Sequence, residues 1–132
     1  MTPQLTLSLL GGPDPTEFAV AQWPPSARLP TELLTGALFS LTRSEDELSL
    51  VCEAHLLPPG TTHASGWVAF KLHGPFDFGL TGILAAVLNP LRDAGVGIFA
   101  VSTFDTDYVL VKREQLGEAQ TALRSAGHTL QP

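Results

Sequence analysis

The residues with the most chemistry to offer lie close together in "GVGIFAVSTFDTDYVLV", residues 95–111. Two apolar runs flank a polar knot of Ser102, Thr103, Phe104, Asp105, Thr106 and Asp107, in which two carboxylates stand one residue apart. Two readings are open. As a turn, Asp105 and Thr106 hydrogen-bond their own backbone and Asp107 is solvated on the strand that follows. As part of a site, Ser102 and Thr103 offer hydroxyl or carbonyl oxygens to an ammonium group, and Asp105 or Asp107 attracts a cation. Side chains alternate along a strand, so the two acids face one way only if the strand already begins at residue 105. One acid at most is therefore expected to reach a site, with Asp105 favoured. A second stretch, "HGPFDFGLTG" (residues 73–82), reads as a glycine-bearing turn from strand into helix. Free backbone N–H groups at the positive end of a helix dipole make a natural seat for a carboxylate. Asp77 is the expected N-cap there, without a Glu or Gln three residues on to complete a capping box.

Other chemistries find little support. The histidines, His55, His63, His73 and His128, show no i, i+3 or i, i+4 spacing, and Cys52 has no CxxC partner, which argues against a metal or redox centre. Nucleophile-elbow and nucleotide-loop motifs do not occur. Cys52 beside Glu53 and His55 is compatible with a thiol dyad, but a free cysteine in "LSLVCEAHLL" reads better as a small buried hydrophobe. Trp67 reads as a core residue, while Trp23, next to Pro24 and Pro25, fits either a core plug or a ligand cover.

The composition narrows the class of partner. A net charge of −6, from 13 acids against 7 scattered bases, repels phosphate backbones and speaks against nucleic acid. No apolar run approaches the roughly 18 residues of a membrane span, and "MTPQLTLSLLGG" reads as a strand rather than a signal peptide. The single Cys52 fits a reducing, cytoplasmic setting.

The elements that must position these residues fall into two halves. In the first, "QLTLSLLG", "TEFAVAQW", "ALFSLTR" and "ELSLVCEA" read as strands. "GGPD" marks a turn, Pro30 to Leu34 one helical turn, and "SEDE" a hairpin connection. "LLPPGTTHASG" (56–66) is the expected boundary. In the second half, "GWVAFKLHG" places Val68, Phe70 and Leu72 on one strand face. Leu80, Ile83, Leu84, Val87, Leu88 and Leu91 then recur at helical spacing, with Gly95 as the stop. Pro90 inside this pattern costs about 3 kcal/mol in a straight helix, so a kink or loosened turn is expected near Ala86. "GIFAVST" and "DYVLVK" form a hairpin. A second helix follows with Leu116, Ala119, Leu123 and Ala126 inward and Gly127 ending it, and "HTLQP" is a short last strand. The order β-α-β-β-α-β predicts an α+β, ferredoxin-like sandwich, an antiparallel sheet with helices on one face.

The segment "GPFDFGLTGILAAVLNPLRDAGVGIFAVSTFDTDYVLVK" resembles the second module of small bacterial ACT-domain proteins. These are similar in turn to the ACT modules of aspartate kinases and of CASTOR-type arginine sensors. The resemblance is carried by "GPFDFGLTG", the "L.DAGVGIFAVST" junction and the "STFDTDYVLV" hairpin. It implies two tandem ferredoxin-like modules, a degenerate ACT-like one over 1–62 and a complete one over 63–132. It also implies a regulatory protein with no chemistry or cofactor of its own, whose small-molecule ligand, an amino acid, sits at an interface between ACT modules. The implied ligand-lining residues are Phe76, Asp77, Phe78 and Gly79 with Ser102, Thr103, Phe104, Asp105 and Asp107. Unpaired edge strands make a homodimer the expected assembly. Two competitors are a protein-interaction module with a degenerate pocket that regulates a partner enzyme, and a small enzyme, for which no convincing catalytic dyad is present.

Overall fold

A computed structural model describes residues 2–77 and 80–132. Among them the elements run β1 (Thr6–Leu9), β2 (Phe18–Trp23), β3 (Ser40–Arg43), β4 (Leu48–Glu53), β5 (Thr62–Leu72), α1 (Ile83–Asp93), β6 (Ile98–Ser102), β7 (Asp107–Lys112), α2 (Leu116–Ser125) and β8 (Thr129–Gln131). The chain divides into two compact units, one of Thr16–Trp67 and one of Met1–Pro15 with Val68–Pro132.

The Thr16–Trp67 unit is a sheet in the order β3-β4-β2-β5 with short 3-10 turns at Thr31–Leu33 and Ala54–Leu56 in place of α-helices. The β3–β4 hairpin pairs Leu41 with Leu50, and its turn is closed by Ser44, whose Oγ accepts the N–H groups of Asp46 and Glu47. Leu33, Leu50 and Cys52 form the centre of a core on which Trp23 and Leu29 pack, so Trp23 is a core plug. Cys52 is fully buried, and burial, with the negative charge of Glu53 next, pushes its thiol up, the setting of a small buried hydrophobe rather than of an activated thiolate. Glycine at 66 was expected to punctuate a loop, yet β5 runs straight through it. There the register shifts, Phe18 facing Trp67 and Val20 facing Ala64, and Gly66 takes the left-handed conformation (φ 84°) that such a bulge requires. The Glu17 carboxylate accepts the exposed N–H of Gly66 at 3.1 Å.

Glu53 links two parts of this unit. Its Oε2 accepts the Ala37 N–H at 2.7 Å and its Oε1 bonds the His55 ring at 3.0 Å. The Ala37 bond first and His55 second hold the Glu53 carboxyl below the usual carboxylate range. A carboxyl depressed on folding stabilises fully above its unfolded pKa, and that stability is lost as pH falls through the lower folded value. In urea melts, the wild type is expected to lose more stability between pH 7 and pH 3 than Glu53→Gln does. Parallel losses in the two proteins would show that this contact contributes nothing.

In the other unit the strand order is β6-β7-β5-β1-β8. The elements from β5 to β8 follow the β-α-β-β-α-β order read from the sequence, but β1 lies between its first and last strands. It pairs antiparallel with β5 (Leu7 with Leu72) and parallel with β8 (Leu7 with Leu130), the one parallel pairing among those with a described register. Alternation in "QLTLSLLG" identifies a strand and says nothing of its partners, which is why the expected division at 62/63 differs from the compact units over residues 1–15; residues 63–67, expected in the second module, also fall in the Thr16–Trp67 unit. Leu7, Val68, Phe70 and Leu72 form a fully buried sheet face against Val87 and Leu91 of α1 and Ala119 and Leu123 of α2. Each such side chain withdrawn from water contributes about 1.5–3 kcal/mol. Both helices end in the same way, with Val96 N–H bonded to Leu91 O and His128 N–H to Leu123 O, past the expected Gly95 and Gly127.

One helix expectation needs correction, and the other, a disturbance near Ala86, takes the form of a carbonyl bonded from outside the helix. The first helix starts at Ile83, behind Gly82, rather than at an Asp77 N-cap. Leu80 N–H instead bonds Asp77 O, and Leu80 is 54% exposed rather than part of the buried stripe. At Pro90, α1 runs on unbroken to Asp93. The carbonyl that Pro90 deprives of a helical donor is that of Ala86, and it is bonded at 2.7 Å by Nε2 of the buried His128.

Candidate functional site

The β6–β7 hairpin is built by its own hydroxyls. Ser102 pairs with Asp107 across the strands, and Ser102 Oγ donates to Asp107 Oδ1. Thr103 N–H and Oγ1 both donate to Thr106 O, at 2.7 and 3.0 Å, and Thr103 Oγ1 accepts the Thr106 N–H at 3.3 Å. Thr103, not Asp105, is therefore the residue that fastens the turn. Thr106 is buried, and its hydroxyl donates to Leu72 O at the end of β5. Phe104 and Asp105 are left at the tip, with Phe104 79% exposed.

The strand-to-helix turn meets this hairpin through backbone. Phe76 N–H donates to Asp105 O at 2.8 Å. Gly74 permits the approach, since a Cβ there would stand 2.8 Å from Asp105 O and 3.0 Å from Phe76 N. Between the two segments lies a cleft of about 230 Å³ lined by Phe76, Asp77, Leu80 and Ile83 on one side and by residues 102–107 on the other. Of the sequence-predicted residues, Phe76, Asp77, Ser102, Thr103, Phe104, Asp105 and Asp107 are brought together here, and Phe78 and Gly79 lie outside the described residues. Leu80, Ile83 and Thr106 are additional lining. Ile83 and Leu80 carried only a helical-period signal, which assigned both to the core.

The described lining has three carboxylates, Asp77, Asp105 and Asp107, and no Lys, Arg or His. Both Asp105 and Asp107 border the cleft, where one had been expected. β7 begins at Asp107, and the turn rather than strand alternation aims Asp105. Asp107 is engaged by Ser102, whereas the Asp105 carboxylate takes no hydrogen bond or ion pair among the described residues. The cleft is thus acidic, apolar at Phe76, Leu80 and Ile83 and edged by hydroxyls, a combination suited to an ammonium group beside a hydrocarbon surface. Among the described residues no group of three or more His, Cys, Asp or Glu could hold a metal ion, and no helix is long and apolar enough to cross a membrane.

A βαββαβ sheet with its helices packed on one core, and a cleft between its first strand-to-helix turn and its central hairpin, defines an α+β protein of the ferredoxin-like class. The ACT-domain family profile matches residues 62–125, and a second profile, for an N-terminal domain, matches residues 16–59. The crystal structure of the Agrobacterium tumefaciens protein Atu0741 is 38% identical, covers 98% of this chain and 94% of its own, and superposes with a TM-score of 0.90. The human putative protein CASTOR3P is 31% identical over 91 residues, 59% of this chain, and this chain spans only 56% of its length. The regulatory subunit of aspartate kinase from Thermus thermophilus, in its ligand-free form, shares the fold with a TM-score of 0.53 at 11% identity, over 84% of this chain and 91% of its own. Residues 62–125 of the chain therefore belong to the ACT-domain family.

Proposed function

We propose that this chain is a non-catalytic sensor that binds an amino acid in the cleft between residues 76–80 and the β6–β7 hairpin, and that it acts as a cytoplasmic homodimer. The observation that carries the proposal is the convergence of the two segments: one backbone bond, Phe76 to Asp105, holds the turn against the hairpin beside a carboxylate that takes no hydrogen bond or ion pair among the described residues. In this reading Asp105 receives the ligand's ammonium group, Ser102 and Thr103 flank it, and Phe76 and Phe104 cover its side chain. Asp77 and Asp107 complete the described part of the proposed set, to which the family resemblance adds Phe78 and Gly79. At about 230 Å³ the cleft is smaller than the roughly 300–1,000 Å³ usual for ligand pockets. Phe104 and Leu80 are exposed at its rim. Both features favour a wall supplied by a second copy of the chain. The regulatory role in this proposal is supported by the ACT-domain match over residues 62–125 and by the regulatory subunit that shares the fold.

A thermal-shift series over the twenty amino acids tests this. Ligand at a hundred times its dissociation constant adds about 2.7 kcal/mol of stability, a rise of several degrees in melting temperature. Asp105→Ala is expected to abolish that rise while leaving the melting temperature of the ligand-free protein within about a degree, because among the described residues Asp105 contributes only its backbone carbonyl to the fold. No shift with any amino acid, together with capture of a partner enzyme through the exposed Phe104 rim, would replace the sensor reading with that of an interaction module.

A further inference from the structure

A second pocket, of about 490 Å³, lies in the unit of residues 1–15 and 68–132, between α2 and the β1–β8 side of the sheet. It is independent of the cleft at the hairpin. Its floor is Leu9, Phe70 and Leu130, and Leu9 lies opposite Phe70 in the β1–β5 register. Leu9, Leu130 and Leu116 rest on the buried core yet are only partly covered, so their remaining apolar surface faces this space. On α2, Leu116, Gln120 and Arg124 follow at intervals of four residues and so share one helical face. They line the pocket in order from hydrocarbon to amide to guanidinium.

We infer that this pocket binds a small aliphatic monocarboxylate, its chain on Leu9, Phe70, Leu116 and Leu130 and its carboxylate paired with Arg124. The charge argument is specific. Arg124 is the only charged side chain in the described lining, and no acidic side chain accompanies it there. The side chains of Gln120 and Arg124 take no hydrogen bond or ion pair among the described residues. Arg124 also stands in the last turn of α2, where a cation suits the helix dipole. That placement accounts for the charge but not for the uncovered apolar floor beside it. A guanidinium fork matches a carboxylate in shape as well as charge, and the volume lies within the range of ligand pockets.

The test uses the full chain and two probes of equal length, octanoate and octanamide, titrated by calorimetry and by methyl NMR. Octanoate is expected to bind about tenfold more tightly than octanamide, a difference of about 1.4 kcal/mol, and to shift the methyl signals of Leu9, Leu116 and Leu130. Arg124→Gln, an exposed position whose replacement leaves the fold intact, should bring octanoate down to the affinity of octanamide. Equal affinity of the two probes for the wild type, methyl shifts elsewhere, or no binding at millimolar concentration would each overturn the inference.

Discussion

Replacing His128 by alanine is expected to lower the free energy of unfolding by about 3 kcal/mol, read from urea denaturation at pH 7 with an unchanged m-value. His128 is 4% exposed and satisfies two backbone groups far apart in sequence. Leu5 N–H, just before β1, donates to Nδ1 at 3.0 Å, and Nε2–H donates to Ala86 O at 2.7 Å. These partners fix the neutral, Nε2-protonated tautomer, since an N–H faces one ring nitrogen and a carbonyl the other. Without the imidazole, a buried donor and a buried acceptor are left unpaired, at about 1–3 kcal/mol each, beside a new cavity. Ala86 O has no alternative partner within α1 because the residue four positions on is Pro90. Pro90→Ala restores that N–H, so it should stabilise His128→Ala more than it stabilises the wild type, with a coupling of at least about 0.5 kcal/mol. Simple additivity, or a loss below about 1 kcal/mol for His128→Ala, would contradict the role given to this histidine.

The second large effect is expected at Gly74. An added Cβ would meet backbone atoms only 2.8 and 3.0 Å away, on Asp105 and Phe76, and these cannot rotate aside as a side-chain tip can. The same two residues form the 2.8 Å bond that joins the turn to the hairpin. Gly74→Ala must therefore lengthen that bond and open the cleft. The expected result is a stability loss of about 1–2 kcal/mol together with a loss of amino-acid affinity of tenfold or more. Its contrast with Asp105→Ala, which should remove affinity and leave stability in place, separates the geometry of the cleft from its charge. Wild-type affinity in Gly74→Ala would mean that the turn and the hairpin do not act together.

Much of this fold is legible from local signals. The helix stops at Gly95 and Gly127, the "SEDE" hairpin and the period-two runs of β2, β4 and β5 each depend on a few neighbouring residues. What escapes depends on partners distant in sequence. The place of β1 between β5 and β8 is set by which hydrophobic face it completes, and alternation alone does not encode that. Gly66 reads as a loop because a bulge and a turn ask for the same left-handed glycine. Pro90 predicts a disturbed helix because its compensation, His128, lies 38 positions away in the sequence. In the cleft, the convergence of Phe76 and Asp77 with residues 102–107 rests on the family resemblance as an expectation, not on spacing. The roles of Thr103 and Thr106 in holding the hairpin required the tertiary contacts.

The central claim is that an amino acid binds between the turn and the hairpin. Backbone amide shifts of the nitrogen-15-labelled protein, followed while each of the twenty amino acids is added, test it most directly. The account predicts saturable shifts for at least one of them, concentrated at Phe76, Asp77 and residues 102–107 and absent in Asp105→Ala. Saturable shifts confined to other parts of the chain, or none with any amino acid at millimolar concentration, would contradict it.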